Sequence, residues 1–297
     1  MTFCVYDLLP TNYFRNPGDQ LFMKNDKLKT ITSGSASLLG SAIELWHARH
    51  LIWLLGKRDV AVRYKQTALG VAWVVIQPLA LTFAFTFLLG RLGSVPSDGH
   101  PYQLFVMTAM VVWQLFAAVV NLSGNSLVAN QVLLTKVYFP RLAIPMSAII
   151  PGTVDFLVTF GLLILFLVFY GVPITYQALF GIYFILLALA FAVSVGILFG
   201  ALAVYFRDFR YVVPFTIQAL LLVSPVAYPA SALPISWHPF LGLNPMSSAL
   251  EGWRWAVLGS VKLSLEMQAV SAIVTGVLFI VAVTFFRKVE RFFADSV

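Results

Sequence analysis

The sequence predicts an all-α membrane protein of six transmembrane helices, N-in and C-in. An interfacial helix precedes the first span and re-entrant helices precede the last. Three observations carry this. Hydrophobic residues make up 60% of the chain and charged ones 10%, with a mean hydropathy of +0.89; that is too much apolar surface for a water-soluble globule. Six stretches approach the roughly 20 apolar residues that cross a hydrocarbon core of about 30 Å. The cations are also segregated. With an internal N-terminus and six crossings, sixteen of the nineteen Lys and Arg residues fall inside, leaving Arg91, Arg254 and Lys262 outside. Cytoplasmic loops retain such residues because they translocate poorly and are drawn to anionic headgroups.

The elements follow in order. Residues 1–40 form a polar, irregular cytoplasmic leader punctuated by Pro10, Pro17 and Gly18, without the apolar core of a secretory signal. Residues 41–68 hold an amphipathic interfacial helix and a link. Leu45, Ala48, Ile52 and Leu55 recur at helical spacing within 43–58, and Trp46 and Trp53 suit headgroup depth; an ordinary helix packed on protein is the alternative. The transmembrane domain, 69–290, has spans at about 69–89, 102–121, 144–170, 179–205, 212–228 and 267–286, ahead of a cytoplasmic tail at 291–297. Gln77-Pro78 predicts a kink in the first span, either lining a pore or aiding packing. The segment 229–265 carries Pro229, Pro234, Pro239 and Pro245 with three tryptophans. Its apolar pieces are too short to cross, which suits re-entrant hairpins or a folded external loop.

Catalytic chemistry is not visible. The chain has no G-x-x-x-x-G-K-[ST] loop, so it does not bind ATP by that nest. It has no H-E-x-x-H or C-x-x-C, and its four histidines show no metal-ligand spacing. Cys4 is the single cysteine, which excludes an internal disulfide. The net charge of +7 sits at membrane borders without a basic stripe, so nucleic acid is not a partner. Asp155 is the one ionisable residue within a span, about ten residues in and on the order of 10 Å deep. It reads as a structural hydrogen-bonding group or a polar contact in a conduit, rather than a proton relay, because no partner lies at its depth.

Residues 57–78 carry a recognisable pattern: Lys57-Arg58-Asp59-Val60, Arg63-Tyr64-Lys65-Gln66-Thr67, Leu69-Gly70, Trp73 and Gln77-Pro78. It resembles the N-terminal signature of the ABC-2 type permeases that export O-antigen, capsule and teichoic-acid polysaccharides. Lys136-Val137-Tyr138-Phe139-Pro140-Arg141 with Pro145 resembles the cytoplasmic loop after their second span. Tyr205-Phe206-Arg207-Asp208 resembles the end of their fourth, and Asn244-Pro245 with Arg254 the re-entrant segment before their last helix. The resemblance covers about residues 45–290, in order, and the leader departs from it.

This resemblance implies a homodimer in the bacterial inner membrane, working with two separate ATP-binding subunits that hold ATP and Mg. No cofactor is implied on this chain itself. The cargo would be a lipid-pyrophosphate-linked glycan. Residues 43–58 would be a gate helix and residues 130–141 a coupling helix, with Lys136, Tyr138, Phe139, Pro140 and Arg141 docking on the ATPase. Lys57, Arg58, Arg63 and Lys65 would admit the lipid phosphate, since cations at headgroup depth favour it; enforcing topology is their alternative role. Sugar rings stack on aromatic faces, so Trp73, Phe83, Phe87 and Tyr228, with Gln77, would line a conduit; interface anchoring or core packing is the alternative. Two other functions remain: an ion- or proton-coupled transporter, which calls for paired intramembrane charges, and a membrane-embedded glycan-processing enzyme, which calls for clustered carboxylates or histidines.

Overall fold

The computed structural model describes residues 38–65, 70–136, 139–173, 175–206, 208–259 and 263–290. Among these described residues the chain forms twelve α-helices, joined by short 3-10 turns, and no strand. Two helices open it. The segment expected as one helix over 43–58 is instead α1 (Leu38–His47) and α2 (Arg49–Lys65), parted at Ala48. Leu55 and Gly56 face inward from α2. A Cβ at Gly56 would stand 2.5 Å from Cδ1 of Ile150, so only glycine lets α2 approach so closely. Trp46 and Trp53 point outward into open space.

The helix α3 (Ala72–Phe85) contains Pro78 and widens into a π-helical turn over Thr86–Leu92. Proline withholds one N–H from the ladder, and π turns relax it again. Next, α4 (Tyr102–Ala129) is the axis of the molecule. Every residue from Leu104 to Trp113 is buried. It packs against α3, α7 (Ile149–Phe169), α8 (Gly181–Tyr205), α9 (Phe209–Val223) and α11 (Pro245–Leu258). Small residues let it do so. A Cβ on Gly196 of α8 would lie 2.5 Å from the Ser123 side chain of α4, and one on Gly200 would lie 3.1 Å from the Ser123 carbonyl. Lipid-embedded helices gain little from hydrophobicity, so this backbone proximity is how they hold together.

Between α4 and α7 run α5 (Gln131–Lys136) and α6 (Ala143–Ser147). The chain closes with α10 (His238–Gly242), α11 and α12 (Leu265–Val289). The start of α12 is capped by Ser264 and that of α11 by Asn244. At the far end of α12, Arg287 pairs with Glu44 of α1, and Arg141 donates to the Glu290 carbonyl.

Among the described residues five segments are long and apolar enough to cross a membrane: Ala72–Leu92, Tyr102–Ala129, Ala143–Phe169, Tyr176–Tyr205 and Leu265–Val289. The span expected at 212–228 differs. Its helix, α9, has 15 residues, about 22 Å at 1.5 Å per residue, short of a full hydrocarbon core. It ends at Val223 because Ser224 is extended (φ −78°, ψ 146°), as expected before Pro225. The 229–265 segment holds a 14-residue helix, α11, buried at every position except Trp255 and not among the helices long enough to cross.

Candidate functional site

One pocket of about 480 Å³ gathers much of the chain's polar chemistry. Five helices build it. From α2 come Arg63 and Tyr64, and from α3 Trp73 and Gln77; Gln114, Ala117, Ala118 and Asn121 come from α4, Asp155 from α7, and Pro214, Ile217 and Gln218 from α9. The α4 contribution is a helical stripe, because positions 0, +3, +4 and +7 share a face. Two alanines keep that stripe low between two carboxamides, and the recess opens there.

Asp155 anchors the pocket's edge. Its carboxylate is 6% exposed as a residue and accepts from Arg63 Nη1 at one oxygen and from the Tyr64 hydroxyl at the other. Two consecutive residues of α2 thus converge on a single carboxylate of α7. Burial, reinforced by that hydrogen bond to Asp155, raises the Tyr64 phenol above its ordinary value; it stays a donor. The sequence placed Asp155 without a partner at its depth. Its partner arrives from α2, which comes in alongside α7 and is not itself among the long apolar helices.

The glutamines differ from this paired edge. Gln77, Gln114 and Gln218 make no hydrogen bond to protein among the described residues, while the Asn121 side-chain oxygen accepts from Asn125 at 3.1 Å. Carboxamides can donate and accept at once. Trp73 stands beside them, 56% exposed, with its indole available as a flat apolar wall.

The structure brings together Arg63, Trp73, Gln77 and Asp155, and leaves other expected residues elsewhere. Phe83 and Phe87 lie further along α3, 63% and 57% exposed, outside the pocket lining. Lys57 and Lys65 are exposed, and Arg58 bonds Asp59 and, at 2.8 Å, Asn130. Phe139 is partly buried against the core, Pro140 is half-buried, and Arg141 is held by the end of α12. Lys136 closes α5; Tyr138 lies outside the described residues.

A second cluster surrounds Arg254, which the charge count had assigned to the exterior. It is fully buried. Its guanidinium donates to Glu251 at 2.9 Å and to the Pro225 carbonyl at 2.6 Å, and stacks 3.6 Å over the Phe105 ring. Glu251 accepts the Ala230 amide at 3.3 Å, and Asn244 donates to Ser224 at 2.8 Å. Together they pin the 224–230 turn onto α11. Tyr228 belongs to this turn, its hydroxyl donating to the Val223 carbonyl, so it stands apart from the pocket.

Tyr64, Gln114, Asn121, Gln218 and Glu251 were missed as site residues. The signals were present. Gln114 and Asn121 are seven apart in an apolar span, and Glu251 and Arg254 are an i,i+3 pair. An uncharged amide within an apolar span is a weaker signal than an ionisable group.

A helical bundle of this hydropathy, with five helices among the described residues long and apolar enough to cross a membrane, defines a multi-pass membrane protein. The ABC-2 type transporter family model matches residues 50–258, and the chain belongs to that family. It is similar to the O-antigen export system permease protein RfbA of Klebsiella pneumoniae, 30% identical over 248 residues that span 82% of this chain and 94% of the relative. The Myxococcus xanthus protein of the same name is 25% identical over 86% of this chain and 98% of its own. The polysialic acid transport protein KpsM of Escherichia coli is 24% identical over 68% and 78%.

Proposed function

We propose that this chain is the transmembrane permease subunit of an ATP-driven transporter that exports a lipid-linked, O-antigen-like polysaccharide across the bacterial inner membrane. The observation that carries this reading is the pocket, where an indole and several carboxamides meet a recess between α3, α4 and α9. Such groups stack on sugar rings and bond their hydroxyls. Energy comes from outside, because the chain has no phosphate loop. ATP and Mg belong to a separate partner subunit, and this chain carries neither catalytic residues nor a cofactor.

In this reading two copies of the chain pair with two ATPases. Both termini are cytoplasmic, and α9 is the sixth crossing, completed by the turn after Val223. The interfacial gate is α1–α2, the coupling helix is α5 with the link to Pro140, and α10–α11 form the re-entrant pair. Deleting the chain from its host should abolish the surface polysaccharide and leave the lipid-linked polymer inside the cell. Undiminished surface polysaccharide would overturn the reading. Apart from the buried Glu251–Arg254 pair, which fixes the turn after α9, the Arg63–Asp155 pair is the feature among the described residues that favours an ion-coupled transporter. That pair lies at the junction with α2, with no further carboxylate or cation in the lining to continue a relay.

A further inference from the structure

We propose that the pocket between α2, α3, α4, α7 and α9 binds an uncharged sugar residue, and that the Arg63–Asp155 pair keeps anionic sugars out by leaving the pocket electrically neutral. This deepens the export reading, on which it rests, by naming the sugar chemistry.

Charge comes first. Among the described residues the lining holds one cation, Arg63, and one carboxylate, Asp155, bonded to each other, with Tyr64 donating to the same carboxylate. All three charge-bearing or acidic groups are thereby committed to one another. An incoming carboxylate or phosphate finds no uncompensated cation in the lining, and Asp155 stands beside the arginine that would otherwise receive it. A buried or half-buried anion without a partner is expensive. Arg63 therefore differs from Lys57 and Lys65, which are exposed, make no ion pair among the described residues, and lie outside the lining. Phosphate attraction belongs to those lysines on α2, not to the pocket.

Hydrogen-bonding capacity comes second. Gln77, Gln114 and Gln218 sit on three different helices, face one recess, and have no protein partner among the described residues. Each offers one acceptor oxygen and two N–H donors. A ring of hydroxyls, each both donor and acceptor, matches that set, whereas a lipid tail would leave it unsatisfied. Shape comes third. Trp73 presents its indole at the rim, and a pyranose C–H face covers such a plane. A recess of about 480 Å³ falls within the roughly 300–1,000 Å³ usual for small-ligand sites.

The test uses the purified full chain in lipid nanodiscs and two probes of equal length: an oligosaccharide of galactose, and one of sialic acid with a carboxylate on every residue. Saturation-transfer NMR reads which probe touches the protein. The galactose probe should receive saturation and the sialic probe little. Trp73→Ala should weaken the galactose probe about three- to tenfold, the range of an aromatic contact, while Trp73→Phe should retain most of it. Gln77→Leu with Gln218→Leu should weaken it too. Asp155→Asn removes the carboxylate that Arg63 bonds and should raise the sialic signal, a gain that misfolding cannot mimic. The proposal is overturned if the sialic probe binds as well as the neutral one, if neither binds, or if Asp155→Asn leaves sialic binding unchanged. The surface-polysaccharide assay judges the export reading on its own, so the two fail separately.

Discussion

Arg254 shows what a single side chain does here. A guanidinium with no exposure, set between Glu251, two backbone carbonyls and the Phe105 face, converts the irregular turn after α9 into a fixed one. Removing one member of a buried pair costs far more than the pair contributes, about 3–5 kcal/mol, because the other charge is left uncompensated. Arg254→Met should therefore lower the unfolding temperature in detergent markedly, and adding Glu251→Gln should recover part of the loss. An Arg254→Met chain as stable as the parent, by thermal unfolding followed on a sizing column, would remove this role. The pair was within reach of the sequence as E-x-x-R, yet the surrounding prolines and tryptophans read as re-entrant hairpins or a folded external loop. Burial is a tertiary property, and the partners of Arg254 at 225 and 226 lie far from it along the chain.

At the scale of elements, helix contacts follow small residues. The α4–α8 seam closes at Gly196 and Gly200 against Ser123, so Gly196→Leu must push two helices apart. Overpacking of this kind costs about 1–3 kcal/mol, and reduced yield of folded protein from membranes should report it; a normal yield and melting profile would contradict the seam. Five of the six expected spans were legible because long apolar runs need no tertiary information. The sixth, α9, was overextended by reading Ser224–Tyr228 as helix past a proline. The pocket was only half legible: Arg63, Trp73, Gln77 and Asp155 stood out, but the amides of α4 and α9 gain meaning only when five helices converge. Phe139, partly buried against the core beyond α5, should transmit motion from the ATPase, so Phe139→Ala should uncouple ATP hydrolysis from export without preventing insertion. Unchanged transport with unchanged co-purification of the ATPase would refute that.

Over the whole molecule, this chain of the ABC-2 type family places long apolar helices around a polar pocket. Its core is mostly apolar, broken by the buried Glu251–Arg254 pair and by Asp155 with its partner Arg63, and three glutamine side chains face one recess. The family match over residues 50–258 agrees with the sequence pattern that begins at Lys57. The most direct test is transport itself. The chain and its ATP-binding partner are reconstituted in proteoliposomes with lipid-linked polysaccharide on the ATPase side, and the polymer reaching the opposite side is measured with and without ATP. The account predicts transfer that needs ATP, Mg and both subunits. Transfer that proceeds without ATP on an imposed proton or sodium gradient, or none with all components present, would contradict it.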